Sequence, residues 1–235
     1  MNATEMIIGV NLGLQKINSN AFDNFLEEEI LYYLNKAGRE YIRRQDAYLQ
    51  EEMERMSRQD FIGSSEASYN LGSLLVSYTF GNANVTTPTE WVNAKAVSLA
   101  DLPSTMFSYV YSQTKMASGG AWRVSKIVNP SEIRHYVKAS YNSPIFREYP
   151  VTIIGNEIYV FYDEEGDVYD YMLVYIKEPD TLVTDTPGTG EVNTLELPVH
   201  THDDIVDITV AMMAEDIKSA RPYEQNQSTV KGEEA

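Results

Sequence analysis

The feature that most constrains this chain is an apolar stripe with helical spacing over residues 21–58. Phe22, Leu26, Ile30, Tyr33, Leu34, Ala37, Tyr41, Tyr48, Met53 and Met56 recur at steps of three, four or seven. Side chains at those offsets share one face, so the stretch predicts a single amphipathic helix. Ser19-Asn20 supplies a cap signal, and Glu27, Glu28 and Glu29 fall where the helix dipole favours acids. Glu40/Arg44, Glu51/Arg55 and Glu54/Arg58 are i,i+4 pairs in the favourable order. Unbroken, the helix spans on the order of 55 Å at about 1.5 Å per residue. A helix of that length is expected in a bundle or against neighbouring subunits. Gly38 marks either close packing or a bend.

A shorter helix is expected over residues 4–17, with Met6, Ile7, Val10, Leu14 and Ile17 on one side and Gly9 and Gly13 weakening it. After a loop at 63–73 the period shifts towards two. Candidate strands are 74–80, 91–97, 106–112 and 122–128, punctuated by Gly81-Asn82, Pro88, Pro103 and Gly119-Gly120. Gly155-Asn156 between Val151–Ile154 and Glu157–Tyr162 is the signature of a type II′ hairpin. With a turn at 163–167 and a strand at 168–176, these segments predict a three-strand antiparallel meander. The 17 Tyr lie mostly in such segments and read as half-exposed strand residues.

A last helix is expected over residues 201–220, ended by Arg221-Pro222, with Thr201 and Asp204 at capping-box spacing. The fold class expected is therefore α+β. The long N-terminal helix and the C-terminal helix form a helical bundle base, and an antiparallel β-sandwich or open barrel is inserted between them. The expected divisions are N-terminal helices at 1–62, a β domain at 63–183, a linker at 184–200, the final helix at 201–222 and a flexible tail at 223–235. The simplest packing docks the final helix on the long one.

Composition excludes several functions. With 35 acids against 18 bases the formal net charge is −17, which opposes any grip on phosphates. The chain has no Cys, so disulfides, thiolate metal sites and cysteine nucleophiles are all removed, which suits a reducing cytoplasm. No signal peptide and no membrane span are expected.

The sharpest chemical candidate is His200-Thr201-His202-Asp203-Asp204. Two His at i,i+2 on an extended segment point the same way and suit a shared metal, as in a small metal-dependent hydrolase. The plainer reading makes this segment a helix entry, with Thr and Asp as caps. His135 is the only other His. Close acidic pairs (Glu27/Glu29, Asp163/Glu165, Asp203/Asp204) are unremarkable among so many acids. Asp163–Asp167 lacks the ligand spacing of a calcium loop, Asp185–Gly190 lacks the Lys-Ser/Thr of a phosphate loop, and Ser118-Gly119-Gly120 lacks a nucleophile-elbow frame. Arg39, Arg43 and Arg44 read as a solvated face paired with nearby Glu, or as a patch for an acidic neighbour. No catalytic, cofactor-binding or metal residue is assigned, and the chain is expected not to be an enzyme.

Three segments carry a family resemblance. They are Phe25–Ala37; Ile145–Pro150 leading into Gly155–Tyr162 and Val174–Pro179; and Leu195–Val206. Their order resembles the ring-forming head-to-tail adaptors (tail tubular protein A-like) of short-tailed phages, nearest to structural proteins of crAss-like phages. The resemblance covers most of the chain outside 63–125. It implies that Pro198, His200 and His202 open the last helix. It implies a virion protein of the neck, assembled in the host bacterial cytoplasm, without catalytic residues. Such adaptors form rings of roughly twelve copies below the portal. Their partners are further copies, the portal, other tail or neck proteins, and genome DNA that passes without sequence-specific binding. A stopper, a second neck ring, a minor capsid protein and an acidic binding module for a host protein are the remaining alternatives.

Overall fold

The computed structural model describes residues 1–17, 25–55, 66–88, 93–116, 120–133, 148–162, 168–183 and 194–216. The expectations for Ser19-Asn20, Glu54/Arg58, Ser118-Gly119, His135, the turn at 163–167, Asp185–Gly190, Arg221-Pro222 and the tail fall outside these residues. The chain forms two compact units. One joins Met1–Ser73 to the chain from Pro179 onward, and the other is Leu74–Glu178.

In the first unit, helix α1 is Ala3–Ile17. It opens on a reciprocal cap. Glu5 N–H donates to Asn2 Oδ1 at 2.7 Å, and Asn2 N–H donates to Glu5 Oε2 at 3.0 Å. This capping box satisfies two donors that a helix start otherwise leaves open. Met6, Ile7, Val10 and Leu14 are buried, while Ile17 is exposed. Helix α2 is Glu27–Arg55, 29 residues. Glu29 Oε2 accepts the Leu26 N–H at 3.1 Å, the carboxylate half of the same cap. Ile30, Leu31, Leu34, Ala37, Tyr41, Ile42 and Leu49 form its buried stripe. A Cβ at Gly38 would meet nothing within 4 Å, so this glycine serves no close packing. Helix α3 is Glu66–Asn70.

Pro198 leads through a 3-10 turn at Val199–Thr201 into helix α4, residues 202–216. Thr201 Oγ1 donates to the Pro198 carbonyl at 2.8 Å, so its hydroxyl fastens the turn in place of the expected capping box. Ile205, Val206, Thr209, Val210 and Met213 are buried. Val206 and Val210 lie against Gly9 and Gly13 of α1. The α4 helix thus closes on the short first helix at its two glycines, in addition to the long helix on which docking was expected. It reaches α2 where Tyr33 Oη donates to Asp216 Oδ2.

The second unit is one curled seven-stranded sheet, a half-barrel. Its strands are β1 Leu75–Phe80, β2 Ala94–Ser98, β3 Met106–Lys115, β4 Arg123–Ile127, β5 Tyr149–Ile154, β6 Glu157–Phe161 and β7 Asp170–Lys177. Their spatial order is β1-β7-β3-β4-β5-β6-β2. The β5–β6 hairpin closes at Ile154↔Glu157. Gly155 has φ +61° and Asn156 is not left-handed, which is the II′ rather than the I′ arrangement.

Two expectations are corrected. The meander does not form: β7 pairs with β1 and β3, and β6 pairs with β2. β7 is an interior strand with a neighbour on each edge, and Tyr171, Leu173, Val174, Tyr175 and Ile176 bury both of its faces. Of the two architectures expected, the curled single sheet answers to the open barrel and not to the sandwich, and it is not wholly antiparallel, because β4 pairs parallel with β5. A parallel pair requires a long connection, and about twenty residues separate these strands where a tight turn would have made them antiparallel.

The strand tyrosines divide: Tyr78, Tyr109, Tyr111 and Tyr162 are half-buried, as expected. Tyr149, Tyr159, Tyr171 and Tyr175 are buried. Tyr149, Tyr171 and Tyr175 join Phe80, Val151 and Val160 in one core. Buried hydroxyls from β3 and β4 pair instead with each other, Thr114 Oγ1 with Ser125 Oγ at 2.8 Å. Large rings beside small side chains suit the inside of a curled sheet. Register shifts in β3 between Met106 and Ser108 and between Tyr109 and Tyr111 add bend. Among the described residues no helix is long and apolar enough to cross a membrane.

Candidate functional site

The structure separates the two histidines of the 200–204 segment. His202 is 1% exposed. Its Nε2 meets the Leu197 carbonyl at 2.9 Å, and its Nδ1 meets the Met1 amino group at 3.0 Å. A carbonyl only accepts, so Nε2 carries the proton and the Nδ1 lone pair receives the ammonium. Burial lowers the imidazole's affinity for a proton; the Met1 ammonium and His200 act the same way, against the Leu197 carbonyl and Asp203. His200 points elsewhere. Its Nε2 meets Asn70 Oδ1 at 2.8 Å, and its ring stacks on Tyr69 with centroids 5.3 Å apart. Each ring is committed to its own partners, and Asp203 and Asp204 face solvent. Among the described residues no group of three or more His, Cys, Asp or Glu is placed to hold a metal ion.

Asn35 is a residue that the sequence reading passed over. Its Nδ2 donates to the carbonyls of Leu31 and Leu182, each at 2.9 Å, and its Oδ1 accepts the Leu182 N–H at 2.8 Å. One side-chain amide thus pairs with both backbone groups of Leu182 and fixes the returning chain on α2. Its only sequence signal is an Asn beside the apolar stripe, where a helix interior disfavours it.

A concavity of about 600 Å³ including its open mouth lies between α2 and α3, and among the described residues Gln45, Tyr48, Glu52, Glu66, Ala67 and Asn70 line it. Gln45, Tyr48 and Glu52 share one face of α2 by their spacing of three and seven. Asn70 Nδ2 donates to Gln45 Oε1 at 3.3 Å, which leaves Asn70 Oδ1 for His200. A bonded row Gln45–Asn70–His200 therefore runs from the concavity to the helix entry, and Tyr69, 71% exposed, covers its end. Glu52 Oε2 is buried and meets no donor among the described residues.

The other candidates serve the fold. Glu29 caps α2, as above. Arg44 pairs with Glu40 at 3.1 Å on the helix surface, and Arg43 is exposed. In the sheet, Lys115 pairs with Asp170 at 3.4 Å beneath the Trp122 and Tyr169 rings. No protein-family model matches the chain, and a comparison with curated proteins returns no match either.

Proposed function

We propose that this chain is a non-enzymatic structural subunit of a phage neck, forming a head-to-tail connector ring below the portal. The observation that carries the reading is the order of the chain. Both ends build one unit, and Leu74–Glu178 departs from it as a single excursion into a sheet. Two of the segments that resemble the adaptors, Phe25–Ala37 and Leu195–Val206, belong to that shared unit. In this reading the helices α1, α2 and α4 are the base of a bundle that packs against neighbouring copies, and the sheet meets tail components. Roughly twelve copies close the ring, as heterologous contacts do when the rotation permits. A charge of −17 suits a channel wall past which DNA moves without sticking.

Images of the intact particle with this protein located in it, together with light scattering of the purified chain mixed with portal, test the reading. A ring in contact with the portal is the expected result. A chain that stays monomeric with portal and is missing from the particle rules the reading out, and contact with tail or capsid alone moves it to another neck position.

A further inference from the structure

We propose that the free edge of β1 pairs with β1 of a second copy, antiparallel about a two-fold axis at Ser77, so that two half-barrels share one continuous sheet. The inference stands apart from the connector reading, because it concerns a contact that the purified chain makes alone.

β1 ends the sheet, with β7 on one side only. Lys177 N–H donates to the Leu74 carbonyl at 2.9 Å, and the register runs from Leu75↔Ile176 to Phe80↔Tyr171 without a shift. Backbone bonding alternates along an antiparallel pair, so Leu74, Val76, Tyr78 and Phe80 bond to β7. The N–H and C=O of Leu75, Ser77 and Thr79 therefore point away from the sheet. Among the described residues they meet no hydrogen-bond partner, and Ser77 and Thr79 are exposed. The opposite edge is guarded. Ala96 of β2 exchanges two bonds of 2.8 Å with Thr86, and Lys95 Nζ beside it donates to Thr87 Oγ1. β1 has none of the devices that blunt an edge. From Leu74 to Gly81 there is no charge and no Pro, and its pairing with β7 has no bulge.

Geometry and charge select a second copy over a foreign strand. The three outward residues form a set symmetric about Ser77. An antiparallel copy meets all three at once, Ser77 opposite Ser77 and Leu75 opposite Thr79, with about six N–H···O=C bonds at two per pair. The same register sets Val76 opposite Tyr78 twice, a β-branched and aromatic pairing that sheets favour. Both side chains pack on the sheet's core yet are only partly buried, so the second copy covers what the edge leaves open. Charge is also low here. Leu74–Glu178 carries 11 acids and 8 bases, a net −3, against −14 for the remainder of the chain. The chain leaves for the acidic unit at Leu74 and Glu178, both at one end of the β1–β7 pair. Antiparallel pairing puts the two copies' links to that unit at opposite ends, where parallel pairing would bring like charge together.

Sedimentation of the full-length chain from about 1 to 100 µM tests the pairing, a span that brackets dissociation constants of the same order. A reversible dimer is expected. Ser77→Pro removes an N–H that β7 does not use, so the variant should fold while dimerisation weakens at least ~10-fold. If it does not fold, Thr79→Lys, which puts a charge on the edge, is read in the same way. The chain has no Cys, so Ser77→Cys gives a second reading. With an added thiol oxidant it should cross-link to its own copy, because Cα atoms about 5.5 Å apart suit a disulfide. Thr79→Cys should not, since in this register it faces Leu75. A parent that stays monomeric at about 100 µM would overturn the proposal. So would a dimer or larger species that Ser77→Pro and Thr79→Lys leave unchanged, or cross-linking at position 79 as ready as at 77. Portal takes no part in these measurements, so their failure leaves the connector reading standing.

Discussion

A Cβ built on Gly13 would lie 2.6 Å from Val210 Cγ2, closer than two carbons can approach. Helices α1 and α4 therefore meet at a glycine, and the residue that weakens α1 locally is the one its packing requires.

Replacing Gly13 by Ala should destabilise the protein by about 1–3 kcal/mol from overpacking, despite a gain of about 1 kcal/mol in helix propensity. Val210 is β-branched and stiff in a helix, so it cannot swing aside. At Gly9 the nearest atom to an added Cβ is Val206 Cγ1 at 3.4 Å, an ordinary contact, so Gly9→Ala should be neutral or stabilising. Urea titrations of both variants check the contrast, and Val210→Ala should rescue Gly13→Ala.

Acid should weaken the protein through His202. Its folded affinity for a proton is lowered, chiefly by burial. The unfolded chain then binds the proton more readily, so the stability it contributes is complete above the unfolded value of about 6.5 and is lost as pH falls below it. Urea midpoints measured from neutral pH to about pH 5 should decline, and His202→Gln should remove that part of the slope. A parent with a flat profile contradicts the assignment.

Alkali should act at Tyr33, whose phenol is pushed up to about 12, first by its hydrogen bond to Asp216 and then by burial and nearby negative charge. A raised value means the stabilising effect is present below about 10 and is lost as pH rises towards 12. Phenolate absorbance should show Tyr33 among the late-titrating tyrosines, together with the buried Tyr171, and Asp216→Asn should bring one late step back towards the others.

Asn35→Ala should cost about 2–4 kcal/mol, because it orphans both the N–H and the C=O of Leu182. Hydrogen exchange at the Leu182 amide should quicken more than exchange within α2. Equal acceleration in both places would mean that the clamp is not local.

Two buried tyrosines should differ. Tyr171 Oη is buried and meets no well-formed hydrogen bond among the described residues, and Ser112 Oγ beside it pairs with Tyr109 Oη at 3.0 Å. Burial accordingly pushes its phenol well up. Tyr171→Phe should be neutral or stabilising, whereas Tyr175→Phe, which loses a 2.9 Å bond to Ser104 Oγ, should cost about 1 kcal/mol. Thermal melts of the two variants decide.

Much of the local structure was legible. Steps of three and four marked α1, most of α2 and α4. Alternation and turn residues marked the strands, and Gly155-Asn156 gave the hairpin with its turn type. The Asn2/Glu5 box was legible too but was missed, because Asn is a less common member of that pattern than Ser or Thr. The concavity was not legible. Its walls come from α2 and α3, and no local period records that Gln45 and Asn70 bond to each other.

Sequence by itself determined most of the residues that turn inward and several of the places where the chain bends, because side-chain period and turn chemistry act over a few residues, whereas Ile17, Leu26 and Tyr48 fit the stripes yet stay exposed. Tertiary structure alone decided what those inward faces meet. It set β7 between β1 and β3, paired β4 parallel with β5, and brought Val210 to Gly13. It also sent His200 and His202 to different partners. An apolar face is satisfied by any surface of matching shape, so burial can be read from a pattern. The choice of partner depends on how all the elements fill space together.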